Sequence, residues 1–333
     1  MAESPQPLAG YEGRVMRPLV SVIIPAYNEE ACIEELYKQL VAQFNIQKET
    51  DFEVIIVENG SWDRTADLSL ALSRTDSRFK VLQLSRNFGC DNAFVAGLEY
   101  ARGDACILMT ADLQDPPETI GQFIARWRDG YDIVYGVVTS REGTSLMRRV
   151  NSRLYYWLIG RLTEFTIPAN ASDFRILDRK VVDAILKMPE RNKFLRSMIA
   201  WMGFRSTGVD VARPPRFAGE SKAYSLKVFT NALNSILQSS TLPITIMPSL
   251  GIVSMFTAVL LQVIFLVRWL SHGVPFSGFG TVVSLLLLGT GTVIFLLGII
   301  AKYLWLVFEE SRERPSYLVR NFIDEDRSGG AKW

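Results

Sequence analysis

Two kinds of hydrophobic pattern divide the chain. In the first, short continuous apolar runs alternate with stretches of helical spacing. Leu19–Ile24 is apolar and β-rich and stops at Pro25, as a buried strand does. Glu29–Phe44 carries its apolar residues at helical intervals, and Phe52–Val57 is a second strand closed by the turn signal Asn59-Gly60. Thr65–Ser73 reads as helix, Phe79–Leu84 as strand and Asn92–Ala101 as helix. Ala105–Met109 and Ile133–Val138 are a fourth and a fifth strand, with a helix over Pro117–Arg128 between them. Strand and helix alternating at this spacing predict an α/β domain built on a doubly wound, mostly parallel sheet.

The second pattern is an absence of charge. Thr241–Val267 contains no charged residue, and Trp269–Ala301 contains none apart from His272. About 20 apolar residues cross a bilayer core as a helix, so Ile244–Val267 and Thr281–Ile300 are expected to be two transmembrane helices. Arg216, Lys222 and Lys227 precede the first, and Lys302, Arg312, Arg314 and Arg320 follow the second. The linker between them holds only Arg268. The positive-inside rule then places both termini and the α/β domain in the cytoplasm, on a multi-pass protein of the inner membrane. The first 18 residues lack an apolar core and are not read as a signal peptide.

Two amphipathic stretches flank this division. Residues 144–162 set Met147, Val150, Leu154, Trp157 and Leu158 on one side and Arg148, Arg149, Arg153 and Arg161 elsewhere. Residues 225–240 place Leu226, Phe229, Leu233, Ile236 and Leu237 at helical spacing. Both suit a membrane surface, and both would also serve as core-packed helices. The expected organisation is a flexible segment 1–17, a catalytic domain 18–224 with the interfacial helix 144–162, a juxtamembrane helix 225–240, a transmembrane hairpin 241–308 and a cytoplasmic tail 309–333.

Charge and composition narrow the chemistry. A net charge of +1 argues against a nucleic-acid partner. The cysteines Cys32, Cys90 and Cys106 form no CxxC, which argues against a thiolate zinc site or a disulfide framework. The single histidine, His272, falls between the apolar runs and reads as a loop residue, so histidine-dependent triads and metal sites are excluded. Acid–base or metal chemistry must rest on carboxylates, which favour Mg²⁺ or Mn²⁺.

In a doubly wound sheet, ligands bind beyond the carboxyl ends of the strands. The candidates there are Ala26–Glu29, Glu58–Ser61, Ser85–Asn87 and Thr110–Asp115. In the last group Asp112, Gln114 and Asp115 could hold a hard cation; equally, Asp115 before Pro116-Pro117 could cap a helix on a solvated turn. Neither a GxGxxG nor a GxxxxGK[ST] motif is present, which disfavours dinucleotide and P-loop folds. Arg148 and Ser152, four residues apart on one helix face, could grip a phosphate at the bilayer surface.

PAYNEE (Pro25–Glu30), SRNFG (Ser85–Gly89), ADLQDPPE (Ala111–Glu118), SDFRILDR (Ser172–Arg179), AWMGFR (Ala200–Arg205) and GESKAY (Gly219–Tyr224) occur in this order. Together they resemble family 2 glycosyltransferases of the GT-A fold. More narrowly, they are similar to polyprenyl-phosphate hexosyltransferases of the bactoprenol glucosyltransferase and dolichol-phosphate mannose synthase type. The closing EESRERPSY (Glu309–Tyr317) resembles the bacterial branch.

The resemblance implies inverting transfer of a hexose from a nucleotide sugar to a polyisoprenyl phosphate. UDP-glucose is the donor expected from family frequency, with GDP-mannose, UDP-galactose and UDP-N-acetylhexosamines as alternatives. It further implies that Pro25, Tyr27, Glu29, Glu58, Asn59 and Arg86 cradle the donor, with Lys222 near its phosphates. Asp112 and Gln114 would hold Mg²⁺ or Mn²⁺, Arg141, Arg148 and Ser152 the lipid phosphate, and Asp173 and Arg175 the reacting centre. A homo-oligomer through the membrane region is also implied, and the small residues Gly289, Gly291 and Gly298 would permit close helix approach.

The chain departs from the family pattern at Glu58-Asn59, where two aspartates are usual, at Thr110, where an aspartate begins the metal motif, and at Cys90-Asp91, where Lys-Glu is common. Val138 stands where an arginine is common. Thr110 predicts weakened metal binding. A competing expectation is a weakly active or inactive homologue acting as a scaffold, and another is a family 2 enzyme with a different lipid acceptor. Because a phosphate monoester is already largely ionised at neutral pH, Asp173 is expected to serve positioning and electrostatics as much as proton removal.

Overall fold

The computed structural model describes residues 17–140, 171–190, 193–214 and 278–324, with scattered helical positions between 253 and 271. In chain order the elements are β1 (Leu19–Ala26), α1 (Glu30–Ile46), β2 (Asp51–Glu58), α2 (Thr65–Thr75), β3 (Phe79–Leu84), α3 (Cys90–Tyr100) and β4 (Ala105–Leu108). A single 3₁₀ turn (Pro117–Thr119) leads into α4 (Ile120–Arg128), followed by β5 (Ile133–Ser140). After the undescribed stretch come β6 (Ala171–Asp178), α5 (Arg179–Lys187), α6 (Leu195–Trp201), β7 (Ser206–Ala212), α7 (Phe279–Ser311) and β8 (Val319–Ile323).

The described strands form one sheet in the order β7-β5-β6-β4-β1-β2-β3-β8. The inner block β3-β2-β1-β4 is wholly parallel, while β6 runs antiparallel to β4 and β5, and β8 antiparallel to β3. This is the α/β GT-A architecture with a mostly parallel sheet. Side chains alternate across β1 with the two-residue period of a strand. Val20, Val22 and Ile24 face a core shared with Ile33, Leu36 and Phe123 of α1 and α4, and Ile23 faces the other core with Phe94 and Val182 of α3 and α5. A β-carbon at Gly97 would stand 2.2 Å from Ile23 Cγ2, so only glycine lets α3 lie this close to β1.

The strands expected from the apolar runs, β1 to β5, are present. The helix expected over Pro117–Arg128 begins as a 3₁₀ turn with Pro117 at its first position, where a missing N–H leaves no helical bond unmade. β6, β7 and β8 add to the five strands read from the pattern. β8 lies in residues expected to be a free tail. It pairs with β3, is continued by Ser85 N–H donating to Leu318 O at 2.9 Å, and carries Phe322 against the Tyr100 ring.

Residues 289–308 of α7 make the one helix, among the described residues, that is long and apolar enough to cross a membrane. Phe295, Leu304, Trp305 and Val307 are all exposed along it. The first expected span lies mostly outside the described residues; among its positions that are described, Val253, Phe256, Leu260, Val263, Ile264 and Val267 are helical and exposed. The helices expected over 144–162 and 225–240, and His272, lie outside the described residues.

Candidate active site

The sheet changes direction of winding at β1: β2 lies on one side of it and β4 on the other. Loops leaving β1 and β4 therefore diverge and open a crevice at their carboxyl ends. The Pro25–Glu29 and Thr110–Asp115 loops border it. β6 brings a third group there, since it runs antiparallel with Leu108 opposite Arg175. Asp173, two residues earlier, is thereby level with the start of the Thr110–Asp115 loop.

The loops after β1 and β2 brace each other. Asn28 sits at φ 54°, a conformation asparagine tolerates, donates its N–H to Ser61 Oγ (3.1 Å) and accepts Trp62 N–H on its side chain (3.0 Å). Glu29 N–H donates to Thr65 Oγ1 at 2.8 Å. Glu58 is buried and accepts Ser61 N–H at 2.5 Å. Asn59 is buried too, and both ends of its amide are engaged: its oxygen accepts Phe88 N–H (2.9 Å), and its nitrogen donates to Asn87 Oδ1 (3.3 Å) and Gly89 O (3.2 Å). Asn59 thus ties the second loop to the SRNFG segment. Gly60, at φ 72°, is required where they meet: a β-carbon there would lie 2.6 Å from the Arg86 backbone. Arg86 is exposed and stacks over the Phe88 ring at 4.1 Å.

In the loop after β4, Thr110 occupies the position of the family's first carboxylate. Its hydroxyl stands 2.7 Å from Asp112 Oδ1 and 2.8 Å from Asp115 Oδ2. Its single proton serves one carboxylate at a time. Asp115 Oδ2 also accepts Thr110 N–H (2.9 Å), and Asp115 Oδ1 accepts from Arg213 (3.1 Å). Burial raises the Asp115 carboxyl despite these partners. The helix-cap alternative for Asp115 is not realised, because no side chain caps the 3₁₀ turn that follows. Instead Asp115 holds its own loop in shape and anchors Arg213 beyond β7.

Asp112 is buried, and its Oδ1 also faces Gln114 N–H at 3.3 Å. No group of three or more His, Cys, Asp or Glu side chains among the described residues is placed to hold a cation. With Asp115 committed to Thr110 and Arg213, the remaining donors are one carboxylate, Asp112, and one amide, Gln114. That set suits a hard cation that takes its other ligands from water and from substrate phosphates.

Around Asp173 the charges are paired. Arg196 of α6 donates Nε to Asp173 Oδ1 (3.1 Å) and NH2 to Oδ2 (2.8 Å). Arg175, itself buried, donates NH2 to Ser172 O (2.7 Å) and reaches Asp173 Oδ1 at 3.4 Å. The Asp173 side chain is half exposed, and Arg196 and Arg175 hold its carboxyl low. Asp91, in the first turn of α3, faces the same group. Burial, reinforced by the charge of Asp173, pushes its carboxyl up to about 7. Cys90 beside it is exposed, and the neighbouring carboxylates of Asp91 and Asp173 raise its thiol. Arg175 and Arg196 also line a cavity of about 150 Å³ with Tyr135, Ile199 and Phe204.

Of the residues expected from the motifs, Pro25, Tyr27, Glu29, Glu58, Asn59, Arg86, Asp112, Gln114, Asp173 and Arg175 belong to the loops and strand ends just described. Lys222, Arg141, Arg148 and Ser152 lie outside the described residues. Arg196, Arg213 and Asp91 were not among the expected site residues. The unusual Asp91 was visible as a departure from the motif, whereas Arg196 and Arg213 carried no sequence signal.

The family described as Glycosyl transferase family 2 matches residues 21–186. An uncharacterized glycosyltransferase of Synechocystis is 39% identical over 300 residues, covering 90% of this chain and 94% of that one. An uncharacterized glycosyltransferase of Bacillus subtilis is 35% identical over 300 residues, covering 90% and 93%. The bactoprenol glucosyl transferase of Shigella phage SfV is 33% identical over 303 residues, covering 91% and 98%.

Proposed function

Because this chain belongs to glycosyltransferase family 2 and is a glycosyltransferase, we propose that it moves a hexose from a nucleotide sugar, UDP-glucose first among candidates, to a polyisoprenyl phosphate at the membrane surface. The observation that carries this reading is that one sheet bears both the Thr110–Asp115 loop, with Asp173 level with its start, and, through β8, the end of an apolar helix. The relative named for bactoprenol supports the acceptor class over nearly its whole length.

The same observation bears on topology. β8 is hydrogen-bonded to β3, so residues up to 212 and from 319 onward share one side of any membrane. A chain that leaves that side and returns crosses an even number of times. If α7 is one crossing, residues 215–277 supply another, in keeping with the two-span, multi-pass expectation. The basic residues flanking the apolar runs make the shared side cytoplasmic.

In the reaction, a lipid phosphate oxygen attacks the anomeric carbon, the bond from that carbon to the diphosphate breaks, and the nucleoside diphosphate leaves with the electron pair. Attack from the opposite face inverts the centre. Asp112 and Gln114 would hold Mg²⁺ or Mn²⁺, which when bound supplies positive charge to the departing diphosphate. The cross-braced loops after β1 and β2 form the floor for the nucleoside, and Asn59 shapes that floor by fixing the Asn87–Gly89 segment against it. Arg141, Arg148, Ser152 and Lys222 keep the phosphate-binding roles implied by the motifs.

The test is a transfer assay. Membranes carrying the protein, incubated with labelled nucleotide hexoses, Mg²⁺ or Mn²⁺ and a polyisoprenyl phosphate, are expected to form a glycolipid labile to mild acid from one donor. If no donor labels lipid, while the protein remains folded, the reading fails and the scaffold alternative takes its place. Label in a diacylglycerol or glycan instead would overturn the acceptor alone.

A further inference from the structure

Arg196 occupies the second position of α6, and it meets Asp173 with two parallel N–H···O contacts, 3.1 Å and 2.8 Å. Such a fork fixes a carboxylate in both direction and rotation. We infer that Arg196 is a positioning residue for the transfer reaction, holding both oxygens of Asp173 so that this carboxylate acts as an oriented, permanent anion and not as a proton carrier. The inference rests on the proposed reaction and names a residue that the family motifs quoted above do not include.

Three features make the clamp rigid. Leu195, Met198 and Ile199 of α6 are buried, so the short helix is seated in the core on either side of Arg196. Leu195 N–H donates to the carboxylate of Asp91, which ties the uncapped start of α6 to the first turn of α3. Arg175, held by Ser172 O, approaches the same Asp173 oxygen as Arg196 Nε. The charged groups facing Asp173 are therefore Arg175 on its own strand, Arg196 on α6, Asp91 on α3 and Arg213 beyond β7.

The chemistry asks for such an anion. The anomeric carbon gains positive character as the glycosidic bond stretches, which a fixed carboxylate stabilises. The acceptor phosphate needs no base, because it is already largely ionised at neutral pH. Among the groups that hold the Asp173 carboxyl low, Arg196 comes first and Arg175 second. With Arg196 gone, Asp173 keeps only the longer contact to Arg175 at 3.4 Å, and its carboxylate is no longer fixed in direction and rotation.

The experiment uses the full chain in membranes, measuring kcat and KM for transfer from the active donor with native protein, Arg196→Ala and Arg196→Lys. Arg196→Ala is expected to lower kcat about 100-fold, as a misplaced group does, with the KM for the nucleotide sugar within about threefold. Arg196→Lys, which keeps the cation and loses the fork, should recover only part of the rate. A kcat within about threefold of native, or a loss carried mainly by the KM for the nucleotide sugar, overturns the inference. The first outcome makes Arg196 dispensable, and the second makes it a donor-binding residue and not a positioning one. Thermal unfolding of the two variants separates loss of the fold from loss of the clamp. An inactive native protein would instead sink the proposed reaction, so the two failures are distinguishable.

Discussion

Replacing Asp112 by Asn is expected to lower kcat/KM for transfer about 10²–10³-fold and to abolish the Mg²⁺ or Mn²⁺ dependence of nucleoside-diphosphate binding. The expectation follows from the donor count in the Thr110–Asp115 loop. Thr110 brings a hydroxyl where a carboxylate is usual, and Asp115 is taken up by the Thr110 N–H and by Arg213. That leaves Asp112 as the carboxylate on which the cation's protein contacts depend, with Gln114 as a neutral second donor. An amide at position 112 keeps the size and loses the charge. Titration calorimetry of a nucleoside diphosphate with and without Mn²⁺ checks it directly. If Asp112→Asn binds with undiminished metal dependence, the cation is held elsewhere. Asp115→Asn is the internal comparison: it should cost stability through the loop and Arg213, and leave more of the metal dependence intact.

The second large effect concerns the end of the sheet opposite the crevice. Lys80, on β3, is almost wholly enclosed, with its ammonium 2.6 Å from Glu53 Oε2 and 3.5 Å from Asp324 just beyond β8. Glu53 is equally enclosed and also accepts Ser21 Oγ–H (2.6 Å) and Arg102 N–H (2.6 Å). Removing one partner of a buried pair strands the other, so Lys80→Ala is expected to destabilise the domain by about 3–5 kcal/mol. Replacing Lys80, Glu53 and Asp324 together by Met, Gln and Asn should cost clearly less, because no unpaired buried charge remains. Thermal unfolding midpoints of the full chain check both. An equal loss in single and triple variants would show that packing, not charge, holds this corner.

The pH dependence of that corner follows from the same contacts. Burial raises the Glu53 carboxyl, but Lys80, Ser21 and Arg102 outweigh it and set it below its ordinary value. A carboxyl lowered by folding contributes stability above its unfolded pKa and loses it as pH falls through the folded one. In Lys80→Ala the main lowering partner is gone, so acid unfolding should begin at a higher pH. Because Asp324 follows β8, proteolytic release of the C-terminal residues should rise in the same variant.

The parallel core of the fold was legible because its strands, β1 to β4, are short, mostly apolar runs bounded by turn residues, with Ser21, Glu53 and Lys80 among the buried polar exceptions. β7 was not, since Ser206–Ala212 is an edge strand whose exposed side chains interrupt the apolar pattern. β8 is five residues long with Arg320 and Asn321 at its centre, and only β3 makes it a strand. β6 was recognised as a motif and not as a strand, because Asp173 and Arg175 break its apolar run for the sake of the site.

The site divides in the same way. Asp112, Gln114, Asp173 and Arg175 could be named from the chain alone because they belong to contiguous motifs, and contiguity is what a linear pattern records. What became of Asp115 and Asn59 could not be named, since whether a carboxylate or amide faces a ligand or braces a loop depends on which groups arrive from elsewhere. Arg213 lies 98 residues from Asp115, and Arg196 lies 23 residues from Asp173. The amino-acid sequence by itself determined the α/β class, the apolar runs and the loops that carry the chemistry, because these follow from local periodicity and from side-chain type. Only the tertiary structure decided which charges pair and that the segment after α7 returns to the catalytic sheet. Ion pairing and strand pairing are settled by distance in space, and separation along the chain does not encode it.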